Sequence, residues 1–131
     1  MTQLRRVGLM KRMLAYVFIL AASGASAQSI PKFQKDARYS HVRAKLLSQG
    51  FRVEPLPAAE FERCAPGRTE ICKAYPETRI CRGTGRASCE FVLLRKKGGP
   101  VSIETEGEDS DPAVQRITVM SDSEISRMLA E

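Results

Sequence analysis

The stretch CEFVLLRKKGGPVSIETEGE, residues 89–108, is the segment from which the fold class can be predicted. Its first nine residues are rich in apolar β-forming side chains, and the GGP that follows is typical of a tight turn. The next six residues alternate between apolar or β-branched and polar side chains, as a half-buried strand does. We therefore predict an antiparallel hairpin, in which Lys96 and Lys97 lie near Glu104 and Glu106.

Shorter signals on both sides of this hairpin add further elements. YSHVRAKLLSQG, residues 39–50, predicts a helix that is capped by Ser40 and ends at Gly50 in the left-handed conformation. The remaining segments are a strand at 51–55, a strand at 113–120 with Ile117 and Val119 directed inward, and a helix at 121–131 in which Ser121 and Glu124 have capping-box spacing. The predicted fold class is α+β, a small antiparallel sheet of three to four strands with helices packed on one face.

Four cysteines, Cys64, Cys72, Cys81 and Cys89, lie between the first helix and the hairpin. Three pairings of two disulfides can be drawn, and we favour Cys64–Cys72 with Cys81–Cys89 because both short loops contain glycines that let the chain turn back. A zinc site is the alternative, but C-x2-C spacing is absent. Residues 56–78, which contain the first pair, have no sustained period and are predicted to be a loop with a helical turn at residues 58–62.

The N-terminus has the composition of a secretory signal peptide. Basic residues precede a short apolar stretch at 13–22, and Ala25-Ser26-Ala27 is a small-x-small cleavage site. We predict that residues 1–27 are a cleaved signal peptide and that 28–131 form a single small disulfide-stabilised domain, periplasmic or secreted, with no membrane span. Arg5-Arg6 leaves the twin-arginine route open beside the general secretory pathway.

The charge of the chain is polarised along the sequence. Removal of the four signal-peptide cations lowers the net charge from +6 to +2. Residues 32–97 contain 15 basic and 7 acidic side chains, whereas residues 98–131 contain 2 and 8. Either half could attract a partner of opposite charge, or the two halves could face each other.

Arg79, Arg82 and Arg86 form the candidate ligand-binding cluster, on or beside the segment CRGTGRASC at 81–89. Guanidinium groups on a constrained loop are suited to a carboxylate, a phosphate of an envelope glycolipid or an acidic protein face. The alternative is that they only solvate a tight turn. A nucleotide loop is not predicted, because the glycines lead into a strand rather than into a helix.

The sequence predicts no catalytic residue, no metal site and no cofactor. No motif places a serine or cysteine nucleophile near His41, the single histidine. The acidic residues between 104 and 111 lack the spacing of a calcium loop. Basic residues are not interleaved with aromatic ones as nucleic-acid binding would require, so no nucleic-acid partner is expected.

Three motifs resemble those of small exported proteobacterial proteins of unassigned function. These motifs are a Tyr-led helix that ends in Gly-aromatic, the triplet YPE at 75–77, and C-x-G-T-G-x3-C before a Phe-bearing strand. The resemblance covers residues 39–108, departs from the family pattern at Phe51, where Trp is usual, and implies no activity. A more distant likeness, in fold only, is to envelope modules related to β-lactamase inhibitor proteins.

From the sequence we expect a non-enzymatic exported protein that binds an envelope or secreted protein through its sheet face or disulfide loops. The alternative is an anionic ligand, lipopolysaccharide or phosphate, bound by the arginines of the disulfide loop. A hydrolase is the third hypothesis, and no motif supports it.

Overall fold

The computed structural model describes residues 26–130, so the predicted signal peptide lies outside the described residues except at its last two positions. The helices are α1 Tyr39–Ser48, α2 Glu60–Arg63, α3 Thr69–Ala74 and α4 Asp122–Ala130. The strands are β1 Arg52–Val53, β2 Thr78–Cys81, β3 Cys89–Leu94, β4 Val101–Glu106 and β5 Ala113–Val119. The predicted α+β class is confirmed.

The five strands form one antiparallel sheet in the order β1-β3-β4-β5. Strand β2 also pairs with β3, at the start of β3, while β1 pairs with its last two residues. The predicted hairpin is β3–β4, with Phe91 opposite Ile103 and Leu93 opposite Val101. Strand β2 is the strand that the sequence did not reveal, because it is short and interrupted by an irregularity between Thr78 and Ile80.

The hairpin register corrects the predicted lysine–glutamate pairs. Because Leu93 is the last β3 residue opposite β4, Lys96 and Lys97 lie in the connection between the strands. Two arginines pair with the glutamates instead. Arg116 contacts Glu104 at 2.6 Å, and Arg86 contacts Glu106 at 2.9 Å.

Helix α1 begins at Tyr39, two residues earlier than an N-cap at Ser40 predicts, so Ser40 is not its N-cap. Arg38 occupies the cap position without a side-chain cap. Asp111, from the β4–β5 connection, instead accepts hydrogen bonds from the Ser40 N–H at 2.8 Å and the Ser40 hydroxyl at 2.6 Å. An acidic side chain from outside the helix thus satisfies a free N–H group of the first turn. Gly50 has φ of +90°, as predicted for the end of the helix.

The main core lies between α1 and one face of the sheet. Tyr39, Val42 and Leu46 recur at helical spacing and are fully buried. They contribute to one core with the fully buried strand residues Phe91, Leu93, Val101 and Ile103. Ile117 packs against this core as predicted, but Val119 is 50% exposed because it lies at the end of β5. Helix α4 has the predicted capping box and no buried residue.

Candidate functional site

The two disulfides follow the pairing favoured from the sequence, Cys64–Cys72 and Cys81–Cys89. The first closes a segment that includes most of α3, a helix that was not predicted, whereas α2 lies at the helical turn predicted for residues 58–62. Each disulfide joins cysteines eight positions apart. Cross-links of this length restrict the unfolded chain and stabilise a small domain by about 2 to 3 kcal/mol each.

The two disulfide loops lie against each other. The Ala65 N–H donates to the carbonyl of Cys81 at 2.9 Å, which joins the start of one loop to the start of the other. Gly83 approaches the first loop so closely that a Cβ there would lie 3.4 Å from the Cβ of Ala65. Both loops are therefore fixed to the sheet and to each other, through backbone contacts as well as disulfides.

A cleft opens along the junction of these loops, and we call it the loop cleft. Its first part has a volume of about 410 Å³ and mostly apolar walls, which include Phe61, Pro66 and Ile80, although the charged Glu62, Arg63 and Arg82 also line it. Its second part, of about 500 Å³, shares Glu62, Arg63, Ile80 and Arg82 with the first and is lined mostly by charged side chains. Those charged residues are Glu62, Arg63, Arg79, Arg82 and Glu90.

Phe61 is 77% exposed although it is a large apolar residue. It lies on α2, where Arg63 is buried and the adjoining Cys64 is tied into the disulfide. Since these neighbours turn inward, Phe61 points away from the core on a four-residue helix that has no second turn to cover it. An exposed phenylalanine on the wall of a cleft is a common anchor in protein interfaces. Leu129 on α4 is equally exposed, at 76%, but does not line the loop cleft.

The three arginines of the sequence-predicted cluster do not form one site. Arg79 and Arg82 both line the second part of the loop cleft. Arg79 forms an ion pair with Glu90 at 3.2 Å, and both side chains are mostly buried. Arg82 is exposed, and its side chain reaches the Ser88 hydroxyl at 3.5 Å as its one hydrogen-bond partner among residues 26–130. Arg86 instead pairs with Glu106 and is absent from the cleft lining, so it does not belong with the other two.

Arg63 belongs to the loop cleft and could not be identified from the sequence. Its side chain is buried and donates to backbone carbonyls, at 2.8 Å to Ala58, at 3.4 Å to Pro76 and also to Thr78. These bonds tie α2 to the chain that enters β2. No motif around Arg63 distinguishes it from a surface arginine, since its carbonyl partners lie up to 15 positions away.

Arg68 is a second buried arginine, 5% exposed, and it lies against the Cys81–Cys89 disulfide. Its Nε is 3.4 Å from the sulfur of Cys81, and its Nη2 is 3.1 Å from the sulfur of Cys89. Within residues 26–130 its Nη1 has no hydrogen-bond partner. Burial lowers the pKa of the Arg68 guanidinium, and the charges of Glu108 and Asp109 oppose this effect. Arg68 thus packs against the disulfide that closes the loop at residues 81–89.

The YPE triplet, residues 75–77, has a structural role. Glu77 is 0% exposed and accepts hydrogen bonds from the Tyr39 hydroxyl at 2.7 Å and from the Arg43 Nε at 2.5 Å. Tyr75 is partly buried and packs edge-on against Tyr39, whose ring stacks on Phe91. Burial, followed by the Glu77 charge, raises the pKa of Tyr39 far above its usual value. The Tyr-led helix and the YPE triplet, two motifs of the resemblance, therefore contact each other in the core.

Four of the five acidic residues between 104 and 111 are partnered by the protein itself. Besides the Glu104 and Glu106 pairs, Asp109 lies 3.1 Å from Arg38, and Asp111 binds the start of α1. Among residues 26–130, no group of three or more His, Cys, Asp or Glu side chains is placed to hold a metal ion. His41 is exposed on α1.

Within the described part of the chain, no helix has the length and apolar character needed to cross a bilayer. Comparison with known proteins gives no match to any protein-family model, curated protein or solved structure.

Proposed function

We propose that this chain is an exported, non-enzymatic protein that binds a protein of the cell envelope, or a secreted protein, through the loop cleft. The observation that carries the proposal is Phe61, a large apolar side chain exposed on the wall of a cleft whose two sides are each held by a disulfide. Exposed aromatic anchors on rigid scaffolds are the groups that dominate protein interfaces.

Export is supported by the signal-like N-terminus and by the two disulfides, which persist in oxidising compartments. A further support is Gln28, the first residue after the predicted cleavage site. Its backbone N–H donates to Lys97 at 2.9 Å, and its side-chain oxygen accepts from the Lys96 N–H at 2.9 Å. Its own carbonyl accepts from Arg95 at 3.0 Å. The fold thus holds the residue that cleavage would leave at the N-terminus.

Binding through the loop cleft is supported by its rigidity. The backbone bond between Ala65 and Cys81 and the two disulfides fix the walls before any partner arrives. A preformed site loses little conformational entropy on binding, so more of the contact energy remains as affinity. The arrangement suits recognition, in which the protein contributes shape and charge rather than a reactive group.

The proposal is tested by site-specific photo-crosslinking in the periplasm. Benzoylphenylalanine is placed at position 61, and in a matched control at position 129, which is exposed to the same degree on α4. We expect a discrete crosslinked adduct of defined mass from position 61 and none from position 129. Adducts of the same mass from both positions, or none from either, would refute binding through the loop cleft.

The second candidate function is binding of an anionic group, lipopolysaccharide or phosphate, by the arginines of the disulfide loop. The observation in its favour is that Arg79 and Arg82 line a common volume of about 500 Å³. Replacing both with Ala should then abolish a salt-sensitive affinity for lipopolysaccharide or inorganic phosphate, while Arg86→Ala leaves the affinity unchanged. Equal affinity in all variants would exclude this function.

A further inference from the structure

We infer that the loop cleft takes a segment of the partner in which a carboxylate lies beside an apolar side chain, with Arg82 binding the carboxylate and Phe61 packing against the apolar group. This inference rests on the proposed function and specifies the chemistry of the partner. It follows from the composition of the loop cleft, whose first part has mostly apolar walls that include Phe61, Pro66 and Ile80, and whose second part is lined mostly by charged side chains.

Arg82 is the arginine of the loop cleft whose guanidinium N–H groups can donate hydrogen bonds to a ligand. The single hydrogen bond of its side chain in the described part of the chain, with the Ser88 hydroxyl at 3.5 Å, is long. The Arg63 guanidinium donates hydrogen bonds to backbone carbonyls, and Arg79 forms an ion pair with Glu90. A guanidinium presents donors in a planar fork that matches the two oxygens of a carboxylate, so Arg82 can bind one bidentately.

The position of Arg82 links the two kinds of contact. Arg82 and Ile80 are among the four residues that line both parts of the loop cleft, so the guanidinium and an apolar wall residue lie at the same place in it. Its backbone N–H donates to the carbonyl of Ser88 at 2.9 Å, which fixes the chain from which the side chain projects. An apolar side chain and a carboxylate on neighbouring residues of a partner would therefore be bound together.

The charged side chains of the second part of the loop cleft match a single carboxylate, because three arginines and two glutamates give a net charge of +1. Glu62 and Glu90 line the same volume as Arg82. Glu90 is neutralised by Arg79, and the Glu62 carboxylate accepts from the Ala59 N–H at 3.1 Å. A singly charged carboxylate would balance this net charge, whereas a phosphate carries close to two negative charges at neutral pH.

The inference is tested by selecting from a random heptapeptide library displayed on phage. The disulfide-bonded protein is presented as wild type, as Arg82→Glu and, as a matched charge reversal outside the loop cleft, as Arg86→Glu. On the wild type and on Arg86→Glu we expect peptides that carry Asp or Glu next to an apolar residue. On Arg82→Glu we expect the acidic residue to fall at least tenfold in frequency and Lys or Arg to replace it.

Two results would overturn the inference: an unchanged acidic preference on Arg82→Glu, or peptides without acidic enrichment on the wild type. Salt-sensitive binding of lipopolysaccharide vesicles that is lost in Arg82→Glu, with no peptide selected, would also overturn it in favour of a lipid ligand. The proposed function fails separately, when crosslinking at position 61 fails. If crosslinking succeeds while Arg82→Glu keeps the same peptides, the cleft binds a protein whose chemistry differs from that inferred here.

Discussion

The hydroxyl of Tyr39 lies 2.7 Å from the carboxylate of Glu77 and donates a hydrogen bond to it, although the two residues are 38 positions apart. Arg43, one turn after Tyr39 on α1, supplies the opposite charge at 2.5 Å. Its guanidinium also lies over the ring of Tyr75, 5.4 Å from the ring centre. A fully buried carboxylate is tolerated only when charge and hydrogen bonds compensate it, and α1 provides both. This contact fixes α1 to the chain that leads into β2, and therefore to one wall of the loop cleft.

Glu77→Gln is expected to lower the free energy of unfolding by about 2 to 4 kcal/mol, because it leaves the partly buried Arg43 without its counter-charge. Glu70→Gln is the matched control, since Glu70 pairs with Lys73 on the surface at 3.1 Å. Loss of such an exposed pair should cost less than about 0.5 kcal/mol. Urea unfolding with a constant m-value measures both changes. Equal effects of the two substitutions would show that Glu77 does not stabilise the fold through this contact.

The raised pKa of Tyr39 predicts a loss of stability at alkaline pH. The folded protein keeps the Tyr39 proton at pH values where the unfolded chain releases it, so the stabilisation is complete below about pH 10 and declines above it. One such group contributes a slope of about 1.4 kcal/mol per pH unit. Unfolding in urea between pH 9 and 11.5 should show this slope, and Tyr39→Phe should reduce it. A slope that Tyr39→Phe leaves intact would assign the alkaline transition to another group.

The hairpin, α1 and the disulfide pairing could be predicted because their signals are local. Each of these signals spans only a few residues: the alternation from residue 101 to residue 106, the GGP turn, and the glycines within each disulfide loop. The Tyr39–Glu77 contact could not be predicted, because no residue near the YPE triplet indicates that the Glu77 carboxylate is buried. Ser40 was misassigned for the same reason: its partner Asp111 lies 71 positions away.

Trypsin separates all four cysteines, so the disulfide pairing can be checked by a non-reducing peptide map. We expect CAPGR, residues 64–68, linked to TEICK, residues 69–73, and ICR, residues 80–82, linked to ASCEFVLLR, residues 87–95. Replacing either cysteine pair with serines should cost about 2 to 3 kcal/mol in urea unfolding. Any other pair of linked peptides, or free thiols, would contradict the arrangement of the loop cleft.

The proposed export predicts that the mature protein begins at Gln28. Intact-mass measurement of the protein recovered from the periplasm or the medium should give the mass of residues 28–131 with two disulfides. Gln28→Ala should then lower the free energy of unfolding by about 1 kcal/mol, because the side chain accepts from the Lys96 N–H and donates to the Gln49 carbonyl. A recovered protein that retains residues 1–27 would contradict the cleavage.

Only part of the candidate site could be predicted from the sequence. Arg82 and Arg79 were identified because they lie in or beside a glycine-containing loop closed by cysteines. Arg86 lies on the same loop, yet its partner Glu106 comes from β4, and sequence spacing does not show that contact. Phe61 was not singled out, because an apolar residue in a helical turn is ordinarily buried, and only the inward direction of its neighbours leaves it exposed.

The central claim, that Phe61 anchors a protein partner in the loop cleft, is tested most directly by the affinity of the crosslinked partner for two matched variants. Phe61→Ser and Leu129→Ser each remove a large exposed apolar side chain, and neither side chain belongs to the core. Titration of the purified partner should show that Phe61→Ser raises Kd by about 30-fold or more, whereas Leu129→Ser leaves it within about twofold. Equal Kd values for the two folded variants would contradict the claim.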